Sequence, residues 1–149
     1  EPQITMEEYQ RRVKLLRDHM RGRSIRYNWH DSQTSFLEAV FARGDRKVAE
    51  VIETAWRSGS KFDAWSEGFD FDRWLEAFSA CGVDPAFYAN RVRDKDERFP
   101  WDVTSVGVSR QFLWRERERA YAASTTPDCR TQCSGCGANH FCPGGKCDA

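Results

Sequence analysis

Long apolar runs are missing from this chain: none approaches the roughly 18 residues of a membrane span. The first residues, Glu1-Pro2-Gln3, carry neither a basic leader nor an apolar signal segment. The chain therefore reads as cytoplasmic, with no membrane partner. An excess of one charge is missing too, since 23 Lys and Arg balance 23 Asp and Glu, which argues against a whole-chain polyanion binder. Histidine is scarce, at three residues, and before Cys129 the only cysteine is Cys81. No phosphate-binding glycine loop, nucleophile triad or paired-carboxylate motif occurs. An initiator Met is also lacking, so the natural protein is expected to begin upstream.

What remains is ample material for one core. The chain has 149 residues, 40% of them hydrophobic, with six Trp and ten Phe, enough to fold as a globular unit. Charge is unevenly placed. Residues 9 to 26 hold seven Arg and Lys against one Asp, and residues 62 to 84 hold six acids against one Arg. Of the 23 cations 18 are Arg, a bias that a GC-rich genome produces unaided and that otherwise suits forked phosphate or carboxylate contacts.

Apolar periodicity and capping residues predict a mainly helical scaffold with one or two short β-strands. Thr5 with Glu8 is a capping box, and Met6, Tyr9, Val13, Leu16 and Met20 follow at helical spacing. The first helix should run from about residue 6 to 21 and stop at Gly22. Lys14, Arg17 and Arg21 cluster on its wheel; a solvated face is the simpler account of them, and a nucleic-acid contact is the alternative. Alternation of Ile25, Tyr27 and Trp29 with Arg26, Asn28 and His30 predicts a half-buried strand over Ser24 to His30. Ser35 with Glu38 should open the next helix, Asp45 the third, Asp70 the fourth, Asp84-Pro85 a short fifth and Ser109 a last one to about Ala122. Residues 91 to 108 read as an ordered loop anchored by Phe99 and Trp101. Two parts result: a helical domain over 1–122 and a Cys-rich tail over 123–149.

That tail holds Cys129, Cys133, Cys136, Cys142 and Cys147, spaced C-x3-C-x2-C-x5-C-x4-C with few apolar residues between. Such a segment buries too little surface to order itself, and a metal supplies the deficit: a structural zinc contributes roughly 10–16 kcal/mol in small peptides. Cys133-Ser134-Gly135-Cys136-Gly137 is a two-thiolate knuckle in which small residues let backbone amides turn toward sulfur. Disulfides fit a reducing compartment poorly and leave one of five cysteines over. A redox dithiol at Cys133 and Cys136 usually opens a helix after a strand, unlike this glycine-rich turn. Zinc and an iron-sulfur cluster both remain open, with a slight preference for zinc. Cys142 is the first choice for a fourth ligand, Cys147 the next and His140 a weaker one.

Cys129, Cys133 and Cys136 also match the C-x3-C-x2-C spacing of a radical S-adenosylmethionine cluster. Radical chemistry needs a scaffold that excludes water from the cofactor, and only 13 residues follow Cys136. A second, structural site is the expected role. His30 beside Asp31 at the strand end is a candidate acid-base pair, although an Asp capping the following turn explains it more simply. His19 carries no constellation, and Cys81 reads as a helix-end thiol.

The ordered string Trp29-His30-Asp31, Ser35, Leu37-Glu38, Ala42-Arg43-Gly44-Asp45-Arg46, Val51-Ile52, Trp56, Phe62-Asp63, Trp65-Ser66-Glu67, Trp74, Ala77-Phe78, Pro100-Trp101-Asp102, Gly107-Val108-Ser109, Phe112-Leu113 and Thr126-Pro127-Asp128-Cys129-Arg130 resembles the C-terminal region of one family. These are bacterial radical S-adenosylmethionine proteins with a cobalamin-binding-like domain in front of the radical barrel. The resemblance implies a helical post-barrel region of a partial (β/α) barrel enzyme, not catalytic alone. It implies a parent using S-adenosylmethionine, a [4Fe-4S] cluster and cobalamin, whose barrel lies upstream as this chain's partner. An RNA or ribosome-related substrate is the accompanying expectation. Family members end soon after the Cys-x2-Cys-Gly turn, whereas this chain continues through Cys142 and Cys147. A reading from a different class is an autonomous metal-knuckle module that binds RNA or a partner protein.

Overall fold

A computed structural model describes residues 1–22 and 24–141. Among these residues lie α1 (Met6–Met20), α2 (Ser32–Arg43), α3 (Lys47–Arg57), α4 (Phe71–Ala80), α5 (Pro85–Ala89), α6 (Arg110–Tyr121) and a 3₁₀ turn, Ala138–Phe141. The chain forms two compact units, Glu1–Pro100 and Trp101–Ala149. No helix of the described residues is long and apolar enough to cross a membrane.

Side-chain caps set most helix starts. Thr5 accepts from the Glu8 amide at 3.3 Å, Asp70 from Arg73, Asp84 from Ala86 and Ser109 from Phe112, each satisfying an amide that the helix leaves without a partner. One start differs from expectation. α2 opens at Ser32, with Asp31 Oδ1 accepting from the Gln33 and Thr34 amides, so the Ser35–Glu38 pair lies inside the helix. At α3 Asp45 Oδ1 accepts from the Lys47 amide at 2.9 Å, one residue ahead of Arg46, whose side chain makes no cap bond.

The expected strand over Ser24–His30 does not form; among the described residues there is no strand. A lone strand leaves its amides and carbonyls unpaired, and no second segment among the described residues offers a ladder. The two-residue period has another cause. Tyr27 and Trp29 stack on each other, centroids 5.4 Å apart, in an irregular strap pinned to α1. There the Tyr9 hydroxyl donates to the His30 carbonyl at 2.9 Å and Gln10 Nε2 to Ser32 Oγ at 3.0 Å.

The core of the first unit lies among α2 to α5. Phe36, Leu37 and Val40 meet Val48, Val51 and Ala55, then Phe71, Trp74 and Phe78, with Tyr88 and Ala89 closing it. Fully burying a side chain such as Phe78 contributes about 1.5–3 kcal/mol. α1 buries no residue completely. The Arg43-Gly44-Asp45-Arg46 block is a corner of this core. Arg43 donates to the Ala89 carbonyl at 3.0 Å, and Asp45 Oδ1 accepts from the Tyr88 hydroxyl at 2.9 Å. Between them Gly44 has no room for a side chain, since a Cβ would stand 2.7 Å from Val48 Cγ2 and 3.1 Å from the Val40 carbonyl oxygen. Desolvation first, and the bond to Asp45 second, push the Tyr88 hydroxyl up to about 12.

In the second unit α6 and the cysteine segment belong together. The Ser109 amide donates to the Cys136 carbonyl at 2.7 Å, and Arg115 donates to the Ser134 carbonyl at 2.6 Å. The compact units accordingly divide between Pro100 and Trp101, although composition changes at residue 122.

Candidate metal centre

The approach to the cysteines is built by the Thr126-to-Arg130 block. Thr126 bonds to Glu116 and accepts from Arg119 at 3.1 Å, which fixes the chain as it leaves α6. Two residues on, Asp128 turns the backbone: its side chain accepts from the Arg130 amide at 2.8 Å, and its carbonyl accepts from the amides of Thr131 and Gln132. The Arg130 guanidinium, 3.0 Å from Asp128 Oδ2, holds that carboxyl below its ordinary range. Cys129 sits within this turn.

The knuckle follows. Gly135 and Gly137 take φ of +67° and +101°, left-handed values that residues with a Cβ avoid. Gly137 also lies so close to Gly107 that a Cβ would stand 2.7 Å from the Gly107 carbonyl oxygen. This backbone aims the Ala138 amide at Cys136 Sγ, 3.4 Å away. An amide donating to sulfur lowers the cost of a thiolate, the form that binds metal. Cys136 is half-buried, and Cys129 and Cys133 are exposed.

The soft donor set and the turn suit the two-thiolate half of a site. Among the described residues, however, no three His, Cys, Asp or Glu side chains gather into one metal-holding group. Cys129, Cys133 and Cys136 are therefore not gathered into one site, and His140 stands exposed in the 3₁₀ turn. Cys142 and Cys147 lie outside the described residues.

The remaining candidates separate clearly. Asp31 is an N-cap, and His30 takes part through its backbone carbonyl; the pair is structural. Cys81 closes α4 with its sulfur 3.4 Å from Thr54 Oγ1. Of the basic triplet, Arg21 faces Asp18 at 3.6 Å, whereas Lys14 and Arg17 line a pocket of about 210 Å³ with Tyr9, Trp29, His30 and Asp31. Trp29, stacked on Tyr27, stands in that lining beside the basic helix. No protein-family model, curated protein or solved structure matches the chain.

Proposed function

We propose that this chain is the C-terminal region of a radical S-adenosylmethionine iron-sulfur enzyme, and that its cysteine segment binds a structural zinc or an auxiliary iron-sulfur cluster. The observation that carries the metal half is the knuckle: two cysteines across Ser134-Gly135, left-handed glycines at 135 and 137, and an amide aimed at Cys136 Sγ. Cys133 and Cys136 would supply two thiolates, with Cys129, Cys142 and Cys147 as the pool for the others. The bound metal would supply folding energy to a segment that has little core of its own. The family half rests on the resemblance of the Arg43-to-Arg46 and Thr126-to-Arg130 blocks. In this chain both blocks hold structure, the first as a corner of the core and the second as the entry to the knuckle. S-adenosylmethionine, the catalytic [4Fe-4S] cluster and cobalamin belong, on this reading, to the barrel and domain that precede the chain in its parent.

Two measurements test the proposal. Cys133→Ser should abolish stoichiometric metal binding while leaving the melting of the first unit unchanged. The chain alone, given S-adenosylmethionine and a strong reductant, should release no methionine; reductive cleavage by this chain in isolation would contradict the post-barrel assignment.

A further inference from the structure

The pocket between α1 and the 24–32 strap joins features that the metal site does not use. Two cations enter it from one helix face. Arg11 and Arg12 are held by Glu8, and Arg21 faces Asp18, but Lys14 and Arg17 have no ion pair among the described residues and both line the pocket. An indole shares the lining. Trp29 is 46% exposed, and its ring stacks on Tyr27 at an interplanar angle of 23°. The wall is fixed by the Tyr9-to-His30 and Gln10-to-Ser32 bonds, so the aromatic is presented by a tied strap. The Asp31 carboxylate also lines the pocket, and its Oδ1 is engaged by the α2 cap.

Open cations beside an exposed, backed aromatic match the chemistry of a nucleotide, with phosphate on the cations and the base on the ring. We infer that this pocket binds one nucleotide unit, its phosphate between Lys14 and Arg17 and its base against Trp29. At about 210 Å³ the pocket falls below the roughly 300 Å³ at which drug-sized ligand sites begin, so it encloses only part of one unit and the remainder stays in solvent. The unit is either a free nucleotide or one residue of a single-stranded RNA. This inference is independent of the metal and of the radical-enzyme reading.

The test uses the full chain at low salt, with AMP, octauridylate and tripolyphosphate as probes in equilibrium titrations. AMP binding identifies a free nucleotide as the ligand; octauridylate binding without AMP identifies a single strand. In the latter case log K against log salt should have a slope of about −0.7 for each phosphate engaged. Trp29→Ala should weaken binding roughly tenfold or more, and Lys14→Ala with Arg17→Ala at least as much. Trp29→Tyr and Lys14→Arg should restore most of it, while Arg21→Ala changes nothing. Circular dichroism establishes that each variant is folded. Three outcomes overturn the inference: no binding of AMP or octauridylate, tripolyphosphate binding as tight as the nucleotide probe that binds, or binding insensitive to the pocket variants. Replacing Cys133 and Cys136 by Ser should leave the affinity unchanged; a loss confined to that variant places binding in the tail and equally overturns it.

Discussion

Gly44→Ala offers a test of the corner that the Arg43-to-Arg46 block forms. Gly44 sits at φ −68°, a value any residue adopts, so the backbone costs nothing and the penalty is purely steric. The new Cβ would meet Val48 Cγ2 at 2.7 Å and the Val40 carbonyl at 3.1 Å. Val48 is buried and β-branched, with a stiff χ1 in a helix, and the carbonyl belongs to α2's own backbone. Neither neighbour yields easily. Overpacking of this kind costs about 1–3 kcal/mol, which in a unit of this size lowers the melting midpoint by on the order of 5–20 °C. Urea denaturation followed by circular dichroism should show a lower midpoint with an unchanged slope. Gly82 is the matched control, because its φ is +62° and no atom lies within 4 Å of its Cβ position. There the cost is conformational, so Gly82→Asn should recover most of what Gly82→Ala loses, since Asn tolerates the left-handed region. At Gly44 the order reverses, and Asn should be worse than Ala. A neutral Gly44→Ala would refute the steric account of the corner.

Two further outcomes follow from the same unit. The Tyr88 proton is held until about pH 12 in the folded chain, against an ordinary value of 10.0, so its contribution is full below pH 10 and is lost as pH rises through that window; urea midpoints at about pH 9 and about pH 11.5 should differ in the wild type and differ less in Tyr88→Phe. Asp31→Ala should cost about 1 kcal/mol through loss of the α2 cap, whereas His30→Ala, which keeps the carbonyl that Tyr9 uses, should leave thermal stability within experimental error.

How much of this was legible in the sequence depends on the range of each interaction. Helix starts at Thr5, Asp70, Asp84 and Ser109 were readable because a cap reaches only two or three residues. The strand over Ser24–His30 was misread because a two-residue period reports which side chains share a face, not what the backbone pairs with. Asp31 was offered as a cap, yet the Ser35–Glu38 spacing imitated a start one turn later. The role of Arg43 and Asp45 was hidden, since their partners, Ala89 and Tyr88, lie more than 40 positions along the chain. At the cysteines, the glycines pointed to the tight turn that Gly135 and Gly137 form, but nothing local revealed that Ser109 and Arg115 bind its backbone. Nor could a wheel diagram separate Arg21 from Lys14 and Arg17, because Asp18 decides which cations stay open.

The metal claim is tested most directly by zinc and iron analysis of the purified chain together with its visible spectrum. One tightly held metal centre per chain is expected: a brown protein with iron and sulfide, or a colourless one with stoichiometric zinc, lost in either case in Cys133→Ser and Cys136→Ser. A chain that holds neither metal, and takes up neither when reconstituted under reducing conditions, contradicts it.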